Sequence, residues 1–484
     1  MKRQLTYILL IFLSVTALAD GRLRLYSHCI SVKEGLLSNT VYELAQDQQG
    51  YIWMATSNGL SRYDGYTTVN YPSVSCNPKQ PIEARIGRVA YDHQNGVVWL
   101  STSTYVNACY DLRQARFVDW TGRGDMMRPL SKRCLSARGI WYYENGFGAR
   151  FSDGHHSEDY TKENGRLPSN AVERIIEDRS DRVWIATGSG LVCVTQDGKP
   201  QTVINGHRII ACATGREQTY CLDEAGSVYA CAGDAKLLSS RPAALPQVKK
   251  VNVSFVWQDR WMLFTPDGTF SVNIKDGEWR EERGEAAIKG GLDQGSQNGY
   301  HFVADGSGRL WIFADDGRLK TLDLLSNSRF TGNKGRKFNI AARHDGRLFI
   351  ATYGNGLFVW NAKTDQLDHF TAEDEHPVVN TNYLLYAISD RQDNIWVGSE
   401  EAGAYCLNII SNGEANHVLP EPGHRGDGAN TVTAIGERND SIFILVRAMA
   451  VSTSMTPEPT LSRRHWPYRR RSAACSLTAT AASG

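Results

Sequence analysis

The stretch that decides the fold is residues 35–66, GLLSNTVYELAQDQQGYIWMATSNGLSRYDGY. It alternates short apolar runs with turns rich in Gly, Asn and Asp, and one of the runs carries a tryptophan. Apolar runs bounded by such turn residues are typical of β-strands joined as hairpins. The stretch therefore predicts an inner strand, a tryptophan strand, a third strand after a tight turn, and a more variable outer strand.

Related stretches recur along the chain. Clear copies lie at residues 96–111, 181–198, 308–323, 346–361 and 393–408, and weaker copies lie at 139–154, 218–234 and 259–272. The anchoring aromatic residues are Trp53, Trp99, Trp141, Trp184, Tyr220, Trp261, Trp311, Phe349 and Trp396. Eight steps between residues 53 and 396 give a period of about 43 residues, and such a period with several strands per unit is the signature of a β-propeller.

The predicted fold class is all-β: a β-propeller of four-stranded antiparallel blades, with one seven-bladed ring and the start of a second. The segment LRLYSHCI (23–30) is similar to the outer-strand ends of later units and is predicted to close the ring. Seven anchors assign residues 23–330 to the first propeller. Phe349 and Trp396 then begin an incomplete second propeller over residues 331–446, with a possible further copy at 439–446.

The two ends of the chain depart from the repeat. Residues 1–19 combine Lys2 and Arg3, an apolar run and the small-residue pattern Ala17-Leu18-Ala19, which predicts a signal peptide, with an uncleaved membrane anchor as the alternative. Residues 447–484 carry six arginines and one acid, and they are predicted to be an out-of-frame end or a disordered basic tail.

Composition excludes several classes of function. Over 484 residues the formal net charge is +1, which gives no electrostatic case for nucleic acid as the main partner. The ten cysteines form no CxxC pair, although Cys212, Cys221 and Cys231 could include a disulfide in an oxidising compartment. The His155-His156 pair in HHSED has no metal-ligand spacing. No nucleophile elbow, P-loop or HExxH occurs, so neither catalytic residues, cofactor nor metal are predicted.

Residues 35–66 resemble the two-component regulator propeller repeat, because the pieces SN-x-V, D-x-x-G-x-I-W and T-x-x-G-L-x-x-Y-D occur in order. The resemblance covers about residues 23–446. It implies the periplasmic sensor region of a hybrid two-component system, many of which sense glycan fragments. In that family two seven-bladed propellers precede a β-sandwich, a membrane helix, a histidine kinase, a receiver and a DNA-binding domain.

None of those later parts is found in this sequence, so we expect a truncated sensor without kinase activity. The resemblance implies an oligosaccharide ligand and a possible homodimer through the propellers. It implies a periplasmic location, with the full-length protein in the inner membrane, and contact of this chain with the membrane only through missing downstream parts or an uncleaved signal.

Strand reversal places the turn after each tryptophan strand on the same face as the links between blades. Carbohydrates are bound by aromatic platforms together with amides and carboxylates, so the candidate ligand-binding residues are Tyr105, Glu144, Asn145, Tyr353 and Asn355. Other polar residues predicted on this face are Ser57, Asn58, Ser189, Asp315, Glu400, Glu401 and the pairs Ser38-Asn39 and Ser169-Asn170. The alternative is that all of these are ordinary solvated turn residues.

The opposite turns contain Asp47, Asp178 and Asp390, which we expect to hydrogen-bond the backbone and hold each hairpin. Two other functions stay open. One is a secreted propeller scaffold that binds a protein. The other is a polysaccharide lyase or glycosidase, which would require carboxylates or a Tyr, His and Arg set to converge in one funnel.

Overall fold

A computed structural model describes residues 23–77, 79, 81–82, 85–103, 107–120, 132–305, 307–324 and 338–410, and the strand residues 432–439, 442–447 and 452–455. The predicted signal peptide lies outside the described residues, as do the boundary predicted between residues 330 and 331 and most of the basic tail. Among the described residues, none of the helices has the length and apolar character needed to cross a membrane.

The part of the chain from Ser27 to Asn408 forms one compact unit built from four-stranded antiparallel sheets. The N-terminal strand is β1 (Arg24–Ile30). From inner to outer strand, the first blade contains β2 (Val41–Gln46), β3 (Ile52–Thr56), β4 (Gly59–Tyr63) and β5 (Thr68–Tyr71), and the second blade contains β6 (Ile86–Asp92), β7 (Val97–Thr102), β8 (Asn107–Asp111) and β9 (Arg116–Val118). The third blade contains β10 (Lys132–Ser136), β11 (Gly139–Glu144), β12 (Gly148–Ser152) and β13 (Ser157–Tyr160), and the fourth blade contains β14 (Val172–Glu177), β15 (Val183–Thr187), β16 (Gly190–Val194) and β17 (Pro200–Asn205).

The later blades follow the same order. The fifth blade contains β18 (Ile209–Thr214), β19 (Thr219–Asp223), β20 (Ser227–Cys231) and β21 (Ala235–Ser240), and the sixth blade contains β22 (Val253–Trp257), β23 (Arg260–Phe264), β24 (Thr269–Asn273) and β25 (Trp279–Glu281). The seventh blade contains β26 (Leu292–Gln297), β27 (Tyr300–Ala304), β28 (Arg309–Ala314) and β29 (Leu319–Asp323), and the eighth blade contains β30 (Phe338–Ala342), β31 (Arg347–Thr352), β32 (Leu357–Asn361) and β33 (Leu367–Phe370). The ninth blade contains β34 (Leu384–Ser389), β35 (Ile395–Ser399) and β36 (Ala404–Ile410). Short 3₁₀ turns lie at Val32–Glu34 and Gly284–Ala286.

The described blades number nine, so the prediction of a seven-bladed ring and the start of a second is wrong. The N-terminal strand does close the ring, but it does so in the ninth blade, where the sheet order is β1-β36-β35-β34. The ninth blade has three strands of its own, and β1 takes the place of its outer strand. Strands β34 and β35 then pack against β2 of the first blade.

Apolar side chains fill the spaces between neighbouring blades. Trp53 of the first blade packs with Val89, Leu100 and Tyr110 of the second. Across the ring closure, Trp396 of the ninth blade shares a cluster with Val41 of the first. The anchoring tryptophans are therefore core residues between blades, as the repeat predicted.

A buried carboxylate also joins the inner strands of three blades. Glu43, 4% exposed, accepts hydrogen bonds from the backbone N–H of Val89 and from Arg133, both at 2.7 Å. Arg88 lies 3.8 Å from the same carboxylate. These contacts satisfy a buried charge and link the first, second and third blades.

In five blades a glycine after the turn between the second and third strands lies in close contact with the outer strand. A Cβ at Gly59, Gly148, Gly190 or Gly356 would lie 2.3–2.6 Å from a carbonyl oxygen at the end of the outer strand in its own blade. At Gly403 in the ninth blade the corresponding oxygen belongs to Ile30 of β1, at 2.1 Å. Strand β1 thus occupies the same position as an ordinary outer strand.

The turn aspartates do what the sequence predicted. Oδ1 of Asp178 accepts from the backbone N–H groups of Ser180 and Arg182, at 2.8 and 3.1 Å. Its Oδ2 accepts from the indole Nε1 of Trp184 at 2.8 Å. The pairs Asp47–Trp53 and Asp390–Trp396 repeat the indole contact at 2.7 and 2.9 Å, so one aspartate holds both the turn and the core tryptophan.

The weaker copies lack this aspartate contact. The buried indole nitrogens of Trp141 and Trp261 have no hydrogen-bond partner. Trp311 lies in β28, the third strand of its blade, rather than in the second strand as predicted. Because of this shift Asp315 lies in the turn after the third strand, on the opposite face from the one the sequence suggested.

Replacing Asp178 by alanine is expected to lower the free energy of unfolding at pH 7 by about 2 kcal/mol, because several hydrogen bonds to a buried carboxylate are lost. Burial raises the pKa of Asp178, but hydrogen bonds from Trp184, Arg182 and the backbone outweigh it, so the net pKa lies below its ordinary value. The carboxylate therefore stabilises the fold above the unfolded pKa of about 3.9, and this contribution is lost as the pH falls through the folded pKa.

Urea unfolding from pH 7 to pH 3 checks this prediction. The difference between the unchanged protein and Asp178→Ala should narrow below about pH 4. Asp181→Asn in the same turn is the control, because asparagine tolerates the positive φ of 56° found there. A pH-independent difference would contradict the assigned role.

In the described part of the second unit, β37 (Val432–Asn439), β38 (Ile442–Arg447) and β39 (Ser452–Met455) form a three-stranded antiparallel sheet. Of the possible further copy of the repeat at residues 439–446, Asn439 lies in β37 and residues 442–446 lie in β38.

Candidate ligand-binding site

Two faces of the ring differ in what they present. We call the face with the turns between second and third strands, and with the links between blades, the upper face. The face with the first and third turns of each blade is the lower face. The candidate residues from the sequence belong to the upper face, except that Tyr105 lies outside the described residues.

The upper face between the eighth and ninth blades carries a group we call the Tyr353 cluster: Tyr353, Tyr383, Glu400 and Glu401. The rings of Tyr353 and Tyr383 meet edge to face with centroids 5.3 Å apart, and Tyr383 is 44% exposed. The Tyr353 hydroxyl donates a hydrogen bond to Glu400. The cluster thus joins an exposed aromatic ring to two carboxylates, which is the combination that binds sugar rings and their hydroxyls.

Local hydrogen bonds hold these side chains. Glu401 accepts from the Thr381 hydroxyl at 2.8 Å, and the backbone carbonyl of Glu400 accepts from Thr40 at 2.6 Å. The hydrogen bond to Glu400, followed by burial, raises the pKa of Tyr353 to about 12. The tyrosine hydroxyl therefore stays protonated at neutral pH and remains a hydrogen-bond donor.

The other candidate residues are placed elsewhere or are engaged. Asn355 donates through its amide to the carbonyl of Leu324, and its own carbonyl accepts from His369 at 2.8 Å. Glu144 and Asn145 lie in the third blade, where the backbone N–H of Asn145 donates to Glu144 at 3.1 Å. The structure therefore brings Tyr353 together with Glu400 and Glu401, but not with Glu144 and Asn145.

Sequence reasoning missed Tyr383. Tyr353 pairs with Tyr383 through an isolated β-bridge, and Asn145 pairs with Ala171 in the same way in the third blade. The position of Tyr383 is thus occupied by Ala171 in the link between the third and fourth blades. An aromatic residue directly after the Asn of a link was the available signal.

The lower face carries a cavity of about 430 Å³ that the sequence did not reveal. It lies where the inner strands of five blades end, and its polar lining includes Gln46, His93, Gln297, Asn298, His344 and Arg391. Most of these are engaged between blades: Gln297 accepts from the Ala342 backbone N–H at 3.1 Å, Asn298 donates to the Ala342 carbonyl at 2.8 Å, and Gln46 accepts from the Arg391 backbone N–H at 2.9 Å.

The HHSED segment does not form one site. His155 lies 3.9 Å from Asp111, and His156 lies 3.4 Å from Asp153, so the two imidazoles face different carboxylates. Across the described residues there is no group of three or more His, Cys, Asp or Glu side chains suited to a metal ion.

Comparison with known families concerns the first blade. The sequence profile of the two-component regulator propeller matches residues 35–58. Residues 35–58 carry one copy of the two-component regulator propeller repeat. This match confirms the resemblance seen in the sequence. No curated protein sequence matches the chain.

Several solved structures are similar to this chain. The extracellular domain of a proposed one-component system of B. thetaiotaomicron is 14% identical with a TM-score of 0.32, over 89% of this chain and 59% of that one. The extracellular domain of a proposed hybrid two-component system of B. thetaiotaomicron is 14% identical with a TM-score of 0.25, over 92% of this chain and 67% of that one. PorZ of Porphyromonas gingivalis, a surface component of the type-IX secretion system, is 12% identical with a TM-score of 0.29, over 88% of this chain and 63% of that one. The chain thus spans about three fifths of the first of these structures.

The matched residues include Asn39, whose backbone carbonyl is engaged on the upper face of the propeller. The carbonyls of Asn170 and Asn382 accept from Gly148 and Gly356 of the preceding blade, both at 3.1 Å. Asn39, within the matched residues, accepts in the same way from Gly403 of the ninth blade at 2.8 Å. The repeat therefore continues across the ring closure, and the Asn of each SN pair is engaged in the scaffold.

Proposed function

We propose that this chain is the exported, ligand-sensing propeller region of a hybrid two-component sensor and that it binds an oligosaccharide. The observation that carries the proposal is the two-component regulator propeller repeat at residues 35–58. In a full-length protein of this kind the propeller controls a histidine kinase. Export rests on the signal-peptide pattern of residues 1–19.

The Tyr353 cluster is the site we propose for the sugar. Tyr383 offers an exposed ring on which a sugar can stack, and Glu400 and Glu401 offer carboxylate oxygens that accept from sugar hydroxyls. Because the cluster joins side chains from the eighth and ninth blades, a bound sugar would also contact both sides of this blade junction. A ligand changes a signalling equilibrium only through differential affinity for two states.

Calorimetric titration with defined oligosaccharides tests the proposal. The probes are di- to hexasaccharides from neutral, uronic-acid and amino-sugar polysaccharides. We expect one class to bind, and Tyr383→Ala to weaken its binding about tenfold, as loss of one stacking ring does. Tyr66→Ala is the matched control, because Tyr66 is 93% exposed in a lower-face turn of the first blade.

Each other result has a defined meaning. Binding that survives Tyr383→Ala moves the site away from the Tyr353 cluster, and the lower-face cavity is then the next place to mutate. If no class of oligosaccharide binds at millimolar concentration, the sugar-sensing function is wrong.

A further inference from the structure

Four cysteines lie together between the fourth and fifth blades: Cys193, Cys212, Cys221 and Cys231. All are at most 2% exposed, and they share one hydrophobic cluster with Trp184, Leu191 and Ile209. We call them the cysteine cluster.

Within the cysteine cluster one pair is placed for a covalent bond. Cys212 of β18 stands directly opposite Cys221 of β19 in the antiparallel register, and their Sγ atoms are 3.0 Å apart. Opposed residues in an antiparallel pair have side chains on the same side and Cα atoms about 4.5–5.5 Å apart. That separation lies within the range a disulfide spans, so the two sulfurs can bond with only a small side-chain shift.

The other two cysteines of the cluster lack this opposition. Cys231 of β20 stands opposite Thr219, and Cys193 of β16 stands opposite Trp184 and Gln201. The register therefore selects Cys212 and Cys221 from the triplet that the sequence left open.

We propose that Cys212 and Cys221 form a disulfide that joins β18 to β19 as the chain folds in an oxidising compartment. Two thiols become one disulfide, and they release two protons and two electrons. The electrons reduce a disulfide-bearing oxidant, either a thiol–disulfide oxidoreductase or glutathione disulfide, to its thiols. One cysteine thiolate attacks the oxidant to give a mixed disulfide, and the second cysteine thiolate displaces the reduced oxidant.

The timing follows from burial. Burial, together with the neighbouring thiols, raises the pKa of Cys221 well above its ordinary value, so the thiolate needed for attack is scarce in the folded ring. The exposed fractions of Cys212 and Cys221 are 2% and 0%, which leaves an oxidant no access. The bond therefore forms before the fourth and fifth blades close on each other.

Peptide mapping of the full chain tests the proposal. The disulfide proposal rests on the export that is part of our proposed function. One sample is exported with its own leader; another is made in a reducing cytoplasm and refolded in a glutathione redox buffer. Both are denatured in iodoacetamide without reductant and cut with trypsin. Cleavage after Arg208, Arg216 and Lys236 places Cys212 in peptide 209–216 and both Cys221 and Cys231 in peptide 217–236.

We expect the two peptides to be linked, with Cys231 alkylated. A further cut before Asp223 separates Cys221 from Cys231 and identifies the linked residue. Cys231→Ala should keep the link, and Cys221→Ala should lose it. If Cys221→Ala does not fold, the peptide map of the unchanged chain still shows whether Cys212 is linked to Cys221.

The two samples separate failure of this proposal from failure of the proposed function. If the leader does not export the chain but the refolded sample contains the link, the disulfide is supported and the proposed export is wrong. Complete alkylation of Cys212 and Cys221 in both samples overturns the disulfide, whatever the chain binds. A link from Cys212 to Cys231 overturns it as well.

Discussion

Gly403→Ala is expected to lower the free energy of unfolding by about 4 kcal/mol, because the alanine meets both backbone strain and a steric clash. Gly403 has a φ of 97°, and a Cβ there would lie 2.1 Å from the carbonyl oxygen of Ile30. A backbone oxygen cannot move away as a flexible side chain can. The alanine should therefore push β1 out of the ninth blade, and Ile30, fully buried against Val41 and Trp396, would leave the core with it.

Gly65→Ala is the matched control for this effect. Gly65 has nearly the same φ, 101°, but a Cβ there meets no atom within 4 Å. Its replacement should therefore cost only the backbone strain, about 1–2 kcal/mol. Urea unfolding followed by tryptophan fluorescence measures both variants, with the m value checked for constancy.

The difference between the two variants isolates the contact with β1. Equal effects of Gly403→Ala and Gly65→Ala would mean that β1 does not serve as the outer strand of the ninth blade. Such a result would remove the ring closure described above.

The blade itself could be predicted from the sequence, because its signals are local. The turn aspartate, the tryptophan and the glycine after the tight turn act within one unit, as Asp47, Trp53 and Gly59 show. The same locality explains why the number of blades was not predictable. Most contacts between blades join direct neighbours, so the sequence of one unit looks the same whether the ring has seven blades or nine.

The remaining errors have local causes. The inner strand of the seventh blade, LDQGSQ (292–297), lacks the usual apolar pattern. The sequence therefore predicts Trp311 in the second strand and Asp315 on the upper face, whereas Trp311 lies in the third strand and Asp315 on the lower face. Tyr353 and Glu400 were placed on the correct face by strand reversal. Their meeting with Tyr383 depends on how two particular blades are joined, which no single repeat encodes.

Residue 398 is a sequence signal for the ring closure between the ninth and first blades. The second strand of the first, fourth and eighth blades carries Ala55, Ala186 and Ala351 two residues after the anchor aromatic, whereas the ninth carries Gly398. A Cβ at Gly398 would lie 2.6 Å from the carbonyl oxygen of Val41 in the first blade. The ring closure is thus packed too closely for the methyl group that other blades accommodate.

Gly398→Ala is accordingly expected to lower the free energy of unfolding by about 3 kcal/mol, although it restores the alanine that other copies of the repeat carry. The control is Gly87→Ala on inner strand β6, where the nearest atom to the new Cβ is Ser101 O at 3.8 Å. This control should leave stability unchanged or raise it by up to about 1 kcal/mol, because alanine restricts the unfolded chain. A seven-bladed ring would keep Gly398 and Val41 apart, and the two variants would then behave alike. A large loss at Gly398 with none at Gly87 requires the ninth blade to lie against the first.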